Sequence, residues 1–96
     1  MLTLEQLREK REALIALADQ HKAENVGAFG SVARGEENEN SDVDLLVHFR
    51  DGASLFDLMD LKEDTEELLG LEVDIVSDRG LSPLLASRIL GEARPL

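Results

Sequence analysis

Gly30-Ser31-Val32-Ala33-Arg34-Gly35, then a short polar stretch, then Ser41-Asp42-Val43-Asp44-Leu45-Leu46-Val47 is the part of this 96-residue chain that decides the fold. The second segment, continued by His48-Phe49, alternates at its start and then turns continuously apolar, as a strand entering a core does. Side chains two apart on a strand share a face, so Asp42 and Asp44 point one way while Val43 and Leu45 point into the core. Upstream, Asn25-Val26-Gly27-Ala28-Phe29 is short and apolar enough for a buried strand. Gly30-Ser31 then turns the chain, residues 31–34 open a short helix, and residues 35–40 are polar and loop-like.

Working outward, Thr3 and Gln6 have capping-box spacing, with Leu2 and Leu7 placed for a hydrophobic staple. Apolar residues at Leu4, Leu7, Leu14, Ile15, Leu17 and Ala18 predict one helix running to about residues 21–24. After the turn Arg50-Asp51-Gly52, Ser54 caps a helix that runs to Leu69 and stops at Gly70, with Leu55, Leu58, Met59, Leu68 and Leu69 near its inner face. Leu71-Glu72-Val73-Asp74-Ile75-Val76 alternates as a third strand, and Ser82-Pro83 opens a last helix to about Leu90. Residues 1–96 therefore read as one α/β (α+β) domain, a small mixed sheet flanked by helices.

Composition limits the partners. Twenty-one acidic residues against ten basic ones give a net charge of −11, and aromatics are confined to three Phe. A large basic face and stacking platforms are both missing, which argues against direct nucleic-acid binding. A cation or a basic protein is the expected partner. The chain contains no cysteine, so disulfides and thiolate metal sites are excluded. It has neither an apolar run of membrane-span length nor a signal-peptide pattern, and a cytoplasmic location is the expectation.

The carboxylates carry the chemistry. Asp42 and Asp44 a few ångströms apart repel one another unless a cation lies between them, and Mg²⁺ is held by one or two carboxylates plus substrate phosphates. Asp74 joins them if the second and third strands are neighbours. Two metal ions about 4 Å apart could then activate a hydroxyl and stabilise a leaving pyrophosphate. Gly30-Ser31 at a strand-to-helix turn offers backbone N–H groups and a hydroxyl to phosphate, and Arg34 one turn on could touch phosphate or steady the carboxylates. Taken singly, each feature has an ordinary reading: a chance Asp-x-Asp pair, a solvated Asp74, a plain turn, a surface ion pair. It is their combination that points to a nucleotide site.

Together these residues match G-S-x-A-R-G…S-D-x-D-L-x-V, and the chain resembles the DNA polymerase β-like nucleotidyltransferase superfamily in its minimal (MNT) form. The likeness spans about residues 25–76, and no motif position departs from the pattern. It implies the nucleotidyltransferase fold, with ATP as substrate and Mg²⁺ (two ions) as cofactor. It also implies that Gly30, Ser31 and Arg34 serve the nucleotide, Asp42 and Asp44 the metal, and Asp74 both metal and hydroxyl activation. Minimal nucleotidyltransferases often pair with HEPN-domain ribonucleases as antitoxin and toxin. The resemblance then implies transfer of AMP from ATP to a tyrosine of a HEPN partner. This chain has no Tyr, so it cannot be its own tyrosine acceptor.

Two other functions compete with that one. The protein could neutralise a toxin by covering it without chemistry, although a pure binder has no need of three mutually repelling acids. Transfer to a small molecule would require an acceptor-holding domain for which there is no room. Apolar surface on the terminal helices would suit a homo-oligomer. His21 reads as a helix-end residue and His48 as a strand-end one. The acids of residues 36–40, those of Glu63-Asp64-Glu66-Glu67, and Arg79 and Arg88 read as solvated faces and surface ion pairs.

Overall fold

The structure, a computed structural model, describes residues 3–35, 43–80 and 83–96, without the side chains of Ser31, Val32 and Leu85. Leu2, the segment containing Ser41 and Asp42, and Ser82 lie outside the described residues, and so do the expectations attached to them. Elements follow in the order α1 (Leu4–Glu9), α2 (Arg11–Gln20), β1 (Ala23–Phe29), α3 (Gly30–Arg34), β2 (Val43–Phe49), α4 (Leu55–Leu69), β3 (Val73–Ser77), a 3-10 turn (Asp78–Gly80), α5 (Pro83–Glu92) and β4 (Arg94–Pro95).

The four strands form one mixed sheet in the order β3-β2-β1-β4. β2 runs parallel to β3 and antiparallel to β1, and β4 pairs antiparallel with β1 through Gly27↔Pro95 and Ala28↔Arg94. On β2, Val43, Leu45, Val47 and Phe49 are all buried. They pack with Leu7 and Leu14 of α1 and α2, with Ala18, and with Leu61 of α4 in two adjoining clusters. Burying each such side chain contributes about 1.5–3 kcal/mol, so this face holds most of the folding energy. The second face is covered more thinly. There α3 and α5 pack against β1, β2 and each other, and Leu46 and Ile89 are buried outside both clusters.

Local chemistry explains the ends of the elements. The Thr3 hydroxyl accepts from the Gln6 N–H at 3.1 Å while the Gln6 side chain accepts from the Thr3 N–H at 2.9 Å, the reciprocal capping box expected from the spacing. At α4 the Asp57 carboxylate accepts from the Ser54 N–H at 2.8 Å, and Gly70 ends the helix with φ 72°. After α2 the left-handed position falls on Lys22, φ 62°.

Several expectations are corrected. The first helix divides at Lys10, whose φ of −98° and ψ of 13° leave the helical ladder where Arg8-Glu9-Lys10-Arg11-Glu12 offers no apolar side chain to pack. Ile15, Leu55 and Met59 are exposed rather than inward; the inward row of α4 runs through half-buried Leu58, buried Leu61 and Thr65, and half-buried Leu68, spaced three and four apart. β1 starts at Ala23 instead of Asn25. Its register slips between Glu24 and Gly27, where three steps on β1 oppose two on β2, and Asn25 takes φ 55° to accommodate the extra residue. β3 begins at Val73, α5 continues to Glu92, and β4 adds a strand that periodicity cannot show in two residues.

Candidate functional site

The site is built at the end of the sheet where β1 stops and β2 and β3 begin. β2 and β3 pair in parallel with Val43 opposite Val73 and Asp44 opposite Asp74. Strands in register place like positions on the same face, so with both valines in the core both aspartates project to the other side. Their backbones lie one strand spacing apart, about 5 Å. Asp44 is half-buried and Asp74 exposed. The condition on which Asp74 depended, that the second and third strands are neighbours, is met.

Across the other edge of β2, Asp44 pairs with Phe29, the last residue of β1, so the next residue, Gly30, arrives beside the Asp44 side chain. A Cβ on Gly30 would run into the Asp44 Oδ2, and the residue also holds φ 71°. Glycine is required there twice over: for the left-handed backbone and for the space that the carboxylate occupies. The contact ties the phosphate-type turn to the aspartate that the sequence assigned to metal.

Arg34 closes α3 and bonds the Glu92 Oε2 of α5 at 3.0 Å, a partner the sequence did not indicate. Asp42 and the Ser31 side chain lie outside what is described. Among the described residues no three His, Asp or Glu side chains gather to hold a metal. Two carboxylates in register beside a glycine cradle nevertheless have the hard oxygen donors and open approach that Mg²⁺ takes together with phosphate.

The histidines lie elsewhere. His48 shares the face of Asp44 but stands four residues along β2, about 13 Å away, where its Nδ1 is 3.0 Å from the Asp78 carboxylate. His21 contacts Asp64 at 2.7 Å and so links the end of α2 to α4. Arg79 pairs with Asp51 at 3.0 Å, the surface ion pair expected of it. A concavity of about 690 Å³ lies at the opposite end of β1, between Ile15, Ala16, Glu24, Val26, Arg50 and Leu96, away from the described carboxylates Asp44 and Asp74. No described helix is long and apolar enough to cross a membrane.

Comparison with known proteins agrees with the geometry. A nucleotidyltransferase domain family matches residues 7–96. The chain is 40% identical over 97 residues to protein adenylyltransferase MntA of Thermococcus cleftensis, with 96% of this chain and 94% of that protein covered. A solved minimal nucleotidyltransferase superposes with a TM-score of 0.89 at 54% identity, covering 99% of this chain and 97% of that one. The same fold, at a TM-score of 0.69 and 20% identity, occurs in a complex of a tri-AMPylated Shewanella oneidensis HEPN toxin with its MNT antitoxin, where 92% of this chain covers 69% of the other. The chain belongs to the nucleotidyltransferase-domain family, in its minimal form, among enzymes of the protein adenylyltransferase kind.

Proposed function

We propose that this protein, read as one domain over residues 1–96, is an Mg²⁺-dependent antitoxin that moves AMP from ATP onto a tyrosine of a HEPN ribonuclease toxin and silences it. The observation that carries this reading is the in-register pair Asp44 and Asp74 beside Gly30. The tri-AMPylated HEPN toxin of the Shewanella complex supports the choice of acceptor, and the MntA relative supports the choice of reaction.

In this reading the Gly30 backbone and Ser31 receive the triphosphate, and Arg34 steadies α3 from its far end. Asp42, Asp44 and Asp74 would hold two Mg²⁺ ions, which when bound neutralise the phosphate charge and that of the departing pyrophosphate. The acceptor phenol oxygen attacks the α-phosphorus, the bond from that phosphorus to the bridging oxygen breaks, and pyrophosphate leaves with the bond electrons. Asp74, more exposed than Asp44, takes the phenolic proton. Fixing both reactants in line accounts for most of the acceleration.

The test uses the purified protein, ATP labelled at the α-phosphate, MgCl₂ and the HEPN-domain protein encoded beside it. Label is expected on a tyrosine of the HEPN protein and is lost with Asp42→Asn combined with Asp44→Asn. Should the double variant keep transferring label, or the intact protein transfer none, the reading is wrong.

A further inference from the structure

The register that sets Asp74 opposite Asp44 hangs on one peptide unit, the link between Glu72 and Val73. Its carbonyl accepts from the Val43 N–H of β2 at 3.4 Å. In a trans peptide the C=O and N–H point in opposite directions, so the Val73 N–H is turned away from β2. β3 is the outermost strand on that side of the sheet, and among the described residues no strand stands there to accept it. The carboxylate of Glu66, near the end of α4, accepts it instead, with Val73 N 3.0 Å from the Glu66 Oε2.

Glu66 acts at both ends of this connection. Its backbone carbonyl accepts the Gly70 N–H at 2.8 Å, so one residue holds both the place where α4 stops and the place where β3 starts. β3 has little else to locate it: of its five residues only Val73 is buried. A strand so thinly packed has a weakly specified register, and a slip of one residue would turn Asp74 toward the core and carry Val73 out of it. Without Glu66 the Val73 N–H would be an unpaired donor at a residue only 1% exposed.

We propose that Glu66 is a positioning residue for the transfer of AMP: its carboxylate fixes the link between Glu72 and Val73 and so holds the next residue, Asp74, beside Asp44. The inference rests on the transfer reading above, in which Asp74 takes the phenolic proton. A base must sit within hydrogen-bond reach of the proton it takes, and a displacement of about 1 Å costs about a hundredfold in rate. Gly30 and Ser31, which receive the triphosphate in the same reading, begin α3 beside the other edge of β2. Loss of the Glu66 bond therefore falls on turnover rather than on the capture of ATP.

The experiment compares the intact protein with Glu66→Ala, Glu66→Gln and Asp57→Ala. It measures hydrogen exchange at the Val73 amide by NMR, steady-state transfer of α-labelled AMP to the HEPN protein, and thermal unfolding. Asp57→Ala removes the carboxylate that accepts the Ser54 N–H at the opposite end of α4, and is the control for a loss of stability alone. Glu66→Ala is expected to speed Val73 exchange about tenfold or more and to lower kcat about ten- to a hundredfold, with the KM for ATP little changed. Glu66→Gln keeps an acceptor oxygen and recovers most of both, while Asp57→Ala lowers the melting temperature and leaves kcat intact. The proposal is overturned if Glu66→Ala keeps either its Val73 protection or its kcat, if Glu66→Gln recovers neither, or if Asp57→Ala loses kcat to the same extent. Should Glu66→Ala fail to fold, Glu66→Asp, which withdraws the same carboxylate by one carbon, carries the same test with the same outcomes. An intact protein that transfers no label overturns the transfer reading and the role of Asp74 with it; in a protein that does transfer label, the outcomes above bear on Glu66 alone.

Discussion

The two faces of β2 are made from one run of seven residues and do opposite work. Val43, Leu45, Val47 and Phe49 are closed into the core between the sheet and α1, α2 and α4. Asp44, Leu46 and His48 look the other way, and the two polar ones are only half-buried. One face carries the packing and the other the chemistry proposed above, and the alternation of a strand keeps them apart at adjacent positions. The fold can therefore tolerate a pair of carboxylates at the end of its sheet, because their repulsion is directed away from the packing that holds the sheet.

Substitutions at neighbouring positions sharpen that contrast. Asp44→Asn should lower AMP transfer about a thousandfold, an effect near 4 kcal/mol on the barrier, with the melting temperature little changed; unfolding in this variant would break the division of labour. Leu45→Ala should do the reverse. The cavity costs about 2–5 kcal/mol in denaturant unfolding, while the molecules that remain folded transfer AMP normally. The glycines give a second pair. Gly30→Ala adds the strain of a left-handed backbone, about 1–2 kcal/mol, and also displaces the Asp44 carboxylate, so both stability and transfer fall. Gly70 has nearly the same φ, but a Cβ there meets nothing within 4 Å, so Gly70→Ala should cost only the backbone strain, about 1–2 kcal/mol of stability, and leave transfer intact. Smallest is His48→Gln, which weakens the half-exposed contact with Asp78 by under about 1 kcal/mol and leaves transfer unchanged, despite its place on the Asp44 face.

What could be read in the sequence was local. Strand alternation around Asp44, the Thr3 and Gln6 cap and the stop at Gly70 are all encoded within a few residues, and each is present as expected. The pairing of Asp74 with Asp44 depends on a register between strands separated by a whole helix, which no local pattern specifies. β4 has the same difficulty in two residues, and Glu92 reaches Arg34 across 58 positions. The break at Lys10 did leave a trace, five charged residues with no apolar side chain among them, in a stretch where no Gly or Pro marks an end. Leu55 and Met59 fit a helical stripe by count, but both are exposed, and the row that meets the core runs instead through Leu58, Leu61 and Thr65.

The bulge in β1 has a consequence for how these molecules behave at high concentration. β4 covers β1 only at Gly27 and Ala28, with the Leu96 N–H reaching the Val26 carbonyl at 3.2 Å. Among the described residues the part of β1 before Val26 is thus a sheet edge, the kind of surface on which a second chain can add a strand and begin to aggregate. Left-handed backbones at Lys22 and Asn25, on either side of Ala23 and Glu24, bend that edge and break the even spacing of donors and acceptors that an incoming strand would need. The same kink that shifts the register toward Gly30 makes the exposed end of the strand a poor template for fibres.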